Sequence, residues 1–329
     1  MARSALLDLV ERALDFHTLS ISDLVAIFED TRPESVAQRR EVMALLRVHP
    51  RRRHGFIVGV TGAPGSGKST LLGRLALAVA DRRDSSVAVL AVDPSSPVSG
   101  GALLGDRVRV RFPVDRPALY FRSQASDATL GGLSPRSFQV CRLLHCLFDH
   151  IFVETVGVGQ SEIDVRWLCD RMVLVLAPLG GDEVQMLKAG IMEMPDVVVV
   201  NKCDEKAAAR RLLAALASSL PISRPFGLGP PPVFQTSALS GEGIDALVDD
   251  IVAGVAVELD FKEAHFFLRW VKERWGQAGA QALGTDGVTL LSRVGGLDEA
   301  QHRLVCAAAG IDASLATAFA AAFGVGSAS

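Results

Sequence analysis

Two glycines, a lysine and a serine at fixed spacing carry the clearest chemistry in the chain: Gly62, four residues, Gly67, Lys68 and Ser69, within GVTGAPGSGKSTLL. This is the full phosphate-binding loop pattern. A polyphosphate needs several N–H donors converging on it, and side chains on Cβ atoms would obstruct that approach. Gly62, Gly65 and Gly67 clear the space, and Ala63, Pro64, Ser66 and Thr70 complete the cradle. Lys68 reaches the terminal phosphates and the Ser69 hydroxyl can ligate Mg²⁺. The helix that starts here adds unpaired N–H groups and partial positive charge.

A second constellation follows the apolar run Val197 to Val200: Asn201-Lys202-Cys203-Asp204, the guanine-reading motif of G proteins. A carboxylate at Asp204 accepts from the two edge N–H groups of guanine. Adenine presents an acceptor there and would leave that carboxylate unpaired, so the motif favours GTP over ATP. Asn201 braces the loop and the Lys202 stem can cover the base. Thr236-Ser237-Ala238, followed by Leu239, matches the second base-side loop of G proteins, whose backbone N–H meets the guanine carbonyl. A third group ends the run from Ile151: Glu154 is expected to hold Mg²⁺ or a metal-bound water, and Gly157 lets an N–H approach the γ-phosphate. Lys68, Glu154 and Gly157 are thus the candidate catalytic set. Asp93 and Asp106 are further metal candidates, although carboxylates in such positions also serve as turn caps.

These residues need a scaffold, and the hydrophobic pattern supplies one. Continuous apolar runs at Phe56 to Val60, Val87 to Val92, Leu119 to Arg122, Ile151 to Glu154, Met172 to Leu176, Val197 to Val200 and Val233 to Thr236 alternate with helical segments. Runs without polar alternation predict an α/β fold with a mostly parallel, helix-flanked sheet. Ligands in such a sheet lie beyond the carboxyl ends of the strands, where each motif falls.

The expected organisation is a helical extension over residues 1–54, a nucleotide domain over 55–256 and a helical arm over 257–329. In the extension, Leu6, Leu7, Leu9, Val10 and Leu14 form one stripe. A second helix over Ser22 to Phe28 is capped by Ser20 or Ser22, and a third runs from Pro33 towards Leu46. In the arm, Phe267, Trp270, Val271 and Trp275 share a helical face that suits either a subunit contact or internal packing.

A net charge of −3 over 329 residues argues against nucleic-acid binding. Five scattered cysteines without CxxC spacing fit a reducing compartment. The acidic residues Asp8, Glu11 and Asp15 disfavour a targeting peptide, and Asp312, Ser314 and Thr317 disfavour a membrane span over Leu304 to Phe323. A cytoplasmic protein without membrane attachment is expected.

Further stretches carry a resemblance. VDPSS, GGALLGDR, LGG at Leu130 to Gly132, VETVGVGQSE, GDE at Gly181 to Glu183, Lys188 and NKCD together resemble the ArgK/MeaB-type G proteins. These are chaperones of methylmalonyl-CoA mutase and related B12-dependent acyl-CoA mutases. The resemblance spans about residues 55–255. It implies a GTPase of the signal-recognition-particle-related class that uses GTP/GDP and Mg²⁺ and forms a homodimer. Its cycle would gate adenosylcobalamin loading and removal of damaged cofactor, with the mutase as partner and the adenosyltransferase as a possible second one. It also assigns Gly62 to Thr70 to the phosphates, Ser69, Asp93, Asp106 and Glu154 to Mg²⁺, and Asn201, Lys202 and Asp204 to guanine. Gly180 to Lys188, with Asp182, Glu183 and Lys188, resembles the family's additional switch near the partner. Pro97, Leu179 and Met186 depart from the pattern.

Weaker signals remain. Gln160 lies three residues past Gly157, off the register of a water-orienting glutamine. Arg107, Arg109 and Arg111 alternate as a solvated strand face would, and Cys141, His145, Cys146 and His150 have the spacing of a packed helix as well as of a metal site. No general base accompanies the phosphate loop, so hydrolysis is expected to be slow without a partner. A nickel-delivery GTPase would show a His run or CxxC near the loop, and neither is present. A P-loop kinase is the remaining alternative, against which Asp204 stands.

Overall fold

The computed structural model describes residues 3–93, 116–125, 133–155, 161–178, 194–223, 229–254, 260–283 and 287–310. They fall into two compact units. The first to consider holds the strands β1 (Phe56–Thr61), β2 (Val87–Asp93), β3 (Leu119–Ala125), β4 (His150–Glu154), β5 (Arg171–Leu176), β6 (Val197–Val200) and β7 (Val233–Gln235). All seven predicted strands form, and they join one sheet in the order β3-β2-β4-β1-β5-β6-β7, each neighbouring pair parallel. The reason is visible in burial. β1, β5 after its first residue, and β6 are enclosed on both faces, as unbroken Val, Ile and Leu runs require.

The register fixes the site. Val60 on β1 lies opposite Glu154 on β4, and β4 also pairs Glu154 with Ala91 on β2. On the other side Thr61 pairs with Leu174, and Leu176 with Val200. The carboxyl ends of β1, β4 and β6 therefore sit on one rim.

Helix α4 (Lys68–Arg83) leaves that rim. Leu71, Leu72, Leu75, Ala76 and Val79 form its buried stripe against Val60, Val89 and Phe152 of the sheet. Its N-terminal neighbour Gly67 makes no side-chain cap, which leaves the first-turn N–H groups open to a ligand. Helix α6 (Ser161–Leu168) lies so close to β1 that a Cβ on Gly59 would come within 2.2 Å of Val165 Cγ1. Helices α7 (Lys206–Ser223) and α8 (Ile244–Val252) complete this unit.

The other unit gathers α1 (Arg3–Leu14), α2 (Thr18–Glu29), α3 (Pro33–Val48), α5 (Pro135–Leu147), α9 (Asp260–Leu283), α10 (Gly287–Val294) and α11 (Leu297–Gly310). The three expected N-terminal helices are present, with two corrections. Leu7 is exposed rather than in the buried stripe of Leu6, Val10 and Leu14. His17, not a serine, caps α2, its ring accepting from Ser20 N, and Ser20 is buried within the helix. The aromatic face of α9 packs internally: Phe267 and Val271 are fully buried, and Phe266 stacks on Phe138 of α5 with centroids 4.1 Å apart. Gly276, at φ 68° and ψ −165°, breaks α9.

Every residue of α5 except Arg136 is buried, Arg142 completely. All five guanidinium donors of Arg142 can be satisfied, the fifth by Nη2 against Glu263 Oε1 at 2.7 Å beside the four contacts that follow. Nη1 and Nη2 grip the Asp298 carboxylate at 2.9 and 2.8 Å, Nε donates to Glu263 Oε1 at 2.9 Å, and Nη1 also reaches Gln139 Oε1 at 2.8 Å. Arg47 adds a contact to Asp298 at 3.4 Å, and Gln139 donates to Gln301 at 3.0 Å. N-terminal, central and C-terminal segments thus meet at one buried charge. Cys141, His145 and Cys146 lie buried on α5, whereas His150 opens β4 and does not share that helix.

Candidate functional site

The site begins where β1 runs out. Gly62 has φ +146°, and a Cβ there would meet Val175 O at 2.0 Å, so only glycine lets the chain turn this close to β5. Lys68 then folds back over the loop, its ammonium donating to Gly62 O at 2.8 Å and Ala63 O at 3.1 Å. The Ser69 hydroxyl donates to Glu154 Oε1 at 2.8 Å, both groups buried. This pairs a hydroxyl from α4 with a carboxylate that the β1–β4 register delivers. Two hard oxygen donors beside a polyphosphate cradle suit Mg²⁺ in chemical type. Below them Thr155 N donates to Val60 O at 3.1 Å and the hydroxyls of Thr61 and Thr155 lie 3.3 Å apart, tying the ends of β1 and β4 together.

The Asn201–Asp204 loop after β6 is fastened to the phosphate loop. Asn201, 1% exposed, donates from Nδ2 to Ser66 O at 2.9 Å and accepts at Oδ1 from Ala238 N at 3.1 Å and Thr236 Oγ1 at 3.3 Å. One amide therefore spans three loops. The fit is close enough that a Cβ on Gly67 would sit 2.5 Å from Asn201 Nδ2. Lys202 adopts φ +60°, a conformation that costs a non-glycine residue energy, and its ammonium donates to Gly65 O at 2.7 Å. Cys203 donates its thiol hydrogen to Val200 O at 3.1 Å, and burial pushes that thiol up, keeping it protonated.

Asp204 is exposed at the rim, with Oδ1 accepting from Ser237 Oγ at 2.7 Å. Ser237 is itself enclosed and also accepts from Ser240 N at 3.2 Å, so the carboxylate is aimed by a hydroxyl whose own position is fixed. Leu239 is 75% exposed, and its carbonyl accepts from Arg74 Nη2 on α4 at 3.1 Å. No motif signals Arg74 or the Thr61–Thr155 pair, because neither has a spacing that marks it.

Direct hydrogen bonds thus pair Ser69 with Glu154, Asn201 with Ala238 and Asp204 with Ser237, while Lys68, Asn201 and Lys202 each bond to carbonyls of the phosphate loop. Thr70 is exposed in the first turn of α4, and Pro64 and Gly65 are exposed in the loop. Asp93 ends β2, next to β4, and the placement of its side chain lies outside what is described. Asp106, Arg107, Arg109, Arg111, Gly157, Gln160, Asp182, Glu183 and Lys188 also lie outside the described residues. Among the described residues no group of three or more His, Cys, Asp or Glu side chains could hold a metal ion. Nor is any described helix long and apolar enough to cross a membrane.

Residues 21–260 match the model of a protein family described as methylmalonyl Co-A mutase-associated GTPase MeaB. The chain belongs to the MeaB family. Relatives agree. A Pyrococcus horikoshii protein, provisionally named a GTPase, is 39% identical over 74% of this chain and 76% of its own length. The mouse methylmalonic aciduria type A homolog, a mitochondrial protein, is 39% identical over 70% of this chain and 58% of its own. Among solved structures, one described as an LAO/AO transport system kinase aligns with TM-score 0.60 and 24% identity over 97% of this chain and 96% of its own, which bears on the fold alone. The P-loop GTPase fold and MeaB-type membership read from the motifs are both shown. Membership also supports guanine-nucleotide binding and GTPase activity.

Proposed function

We propose that this MeaB-family chain binds GTP with Mg²⁺, hydrolyses it slowly alone, and serves as a chaperone of a B12-dependent acyl-CoA mutase of the methylmalonyl-CoA mutase type. The observation that carries the nucleotide half is Asn201, whose single amide links the phosphate loop to both base-side segments. In this reading Asp204, aimed by Ser237, accepts from the guanine edge, and the Lys202 stem covers one face of the base. Lys68 and the loop N–H groups neutralise the phosphates, which is most of what phosphoryl transfer asks of a protein. Ser69 and Glu154 would hold the Mg²⁺, which when bound neutralises charge on the phosphate oxygens; Asp93 and Asp106 are proposed to join them. Gly157 would offer its N–H to the γ-phosphate.

The partner half rests on family membership and on the mouse relative's name. The chain would act as a cytoplasmic homodimer whose GTP cycle gates adenosylcobalamin loading and clearance of damaged cofactor, with Asp182, Glu183 and Lys188 relaying nucleotide state to the mutase. With no general base among the described site residues, hydrolysis should depend on switch closure supplied by that partner. Phosphate release from GTP is expected to accelerate at least about tenfold when purified methylmalonyl-CoA mutase is added, equivalent to ~1.4 kcal/mol of barrier. An unchanged rate across several acyl-CoA mutases would defeat the partner assignment and leave nucleotide binding standing.

A further inference from the structure

We propose that Arg74 is a positioning residue for base selection: acting through one peptide group and the Ser237 hydroxyl, it orients the Asp204 carboxylate. The inference rests on the nucleotide reading above and deepens it, because Arg74 belongs to none of the nucleotide motifs and acts only through other residues. Its Nη2 donates to Leu239 O at 3.1 Å. The peptide group that carries this carbonyl has the Ser240 N–H at its other end, and that N–H donates to Ser237 Oγ at 3.2 Å. Ser237 Oγ in turn donates to Asp204 Oδ1 at 2.7 Å.

Each bond in this chain points the same way, from a guanidinium at one end to a carboxylate at the other. Bonds so aligned polarise one another, and the cation at the start strengthens the donation at the end. The rest of the loop has attachments of its own. Ala238 N donates to Asn201 Oδ1 at 3.1 Å, Gly241 N to Ser237 O at 2.8 Å and Ser237 N to Glu242 O at 3.0 Å. None of these involves the Leu239 carbonyl. Arg74 and the Leu239 side chain are both exposed, and a charged contact at that exposure adds little to folding. The segment is docked on α4 without it. Arg82, about two turns further along α4, donates to Asp245 O at 3.0 Å and pairs with Asp249 at 2.9 Å, while Leu72 and Leu75 share a core with Leu247 and Val248. What Arg74 adds is therefore direction rather than attachment. It also ties the aim of Asp204 to the helix whose first turn bears Lys68 and Ser69.

Inosine diphosphate keeps the ring N–H of GDP and lacks its 2-amino group, so the ratio of GDP to inosine diphosphate affinity reads how well Asp204 is aimed. In the full chain, calorimetry on Arg74→Met should show that ratio fall by about three- to tenfold, the effect of loosening one hydrogen bond. The ratio needs no correction for folding, since both nucleotides report on the folded form. A merely structural role for Arg74 would weaken the two nucleotides alike and leave the ratio at its parent value, and that result overturns the proposal. Because Arg74 acts through Ser237, its effect on the ratio should vanish in a Ser237→Ala background. An Arg74→Met change that lowers the ratio just as far in that background also overturns it. If the parent fails to bind GDP, or binds it no better than inosine diphosphate, the nucleotide reading falls and this inference with it; if the parent is selective and Arg74→Met matches it, only this inference falls.

Discussion

If Asp204 reads the base as proposed, a single atom separates one purine from another. Its carboxylate offers two acceptors, one already oriented by Ser237. Replacing it with asparagine turns one acceptor into a donor. Asp204→Asn is therefore expected to lower the preference for GTP over xanthosine triphosphate by at least about a hundredfold, because a mismatched pair sets donor against donor at the base edge. Competition with labelled nucleotides measures this, and retained guanine selectivity would show that another residue reads the base. That Lys68, Ser69, Asn201, Lys202 and Asp204 lie on one rim was legible in the sequence, because the motifs depend on residue type and short spacing. Ser237 stood in the expected base-side loop, yet its work in aiming Asp204 is a matter of direction, which spacing does not encode. The same holds for the hydroxyl pair of Thr61 and Thr155, which joins two strands 94 residues apart in the chain.

At the level of elements, the sheet was almost entirely readable. The inner strands of a parallel sheet flanked by helices are apolar without alternation, as β1, β5 and β6 are, whereas the edge strands β3 and β7 are less enclosed. The helix boundaries were less readable where a cap used an uncommon residue, as His17 does for α2. Helix α6 illustrates what pattern reading omits altogether: its close approach to β1 depends on one missing side chain. With Val165 Cγ1 only 2.2 Å from where a Cβ would stand at Gly59, Gly59→Val should push α6 away from β1 and destabilise the protein by about 2–4 kcal/mol. Urea unfolding of parent and variant tests this, and a loss below about 0.5 kcal/mol would mean that the contact is loose.

At the level of the molecule, a buried ion pair between distant parts of the chain contributes stability that acid removes. Burial alone would raise the Asp298 carboxyl, yet the guanidinium of Arg142, with Arg47 and Arg39, holds it below its ordinary 3.8. A group whose folded value is depressed contributes stability that is complete above its unfolded value and is lost as pH falls through the folded one. Parent stability should therefore decline below about pH 4, and Asp298→Asn, less stable at neutral pH, should show a flatter acid limb when thermal midpoints are compared between pH 3 and 6. Arg142→Met removes the charge that both carboxylates depend on and should cost about 3–5 kcal/mol. That this helix belongs with the N-terminal and C-terminal segments was not legible: α5 is buried on nearly all sides although it carries Ser137, Gln139, Arg142 and His145, and an arginine within it reads as a surface residue until its partners, 121 and 156 positions onward, are seen.

The order in which the chain is made gives this arrangement a further consequence. A ribosome releases the three N-terminal helices first, then the strands and α5, and only at the end the segment bearing Glu263 and Asp298. Until that segment emerges, Arg142 has no acidic partner among the residues that bind it in the finished protein, and its helix can pack only on α2. The nucleotide-binding sheet can close around its own core while the helical body stays open. Newborn chains therefore pass through a stage in which the sheet is built and the helical unit awaits the segment bearing Glu263 and Asp298, a window in which holding chaperones and proteases compete for the partly exposed helix.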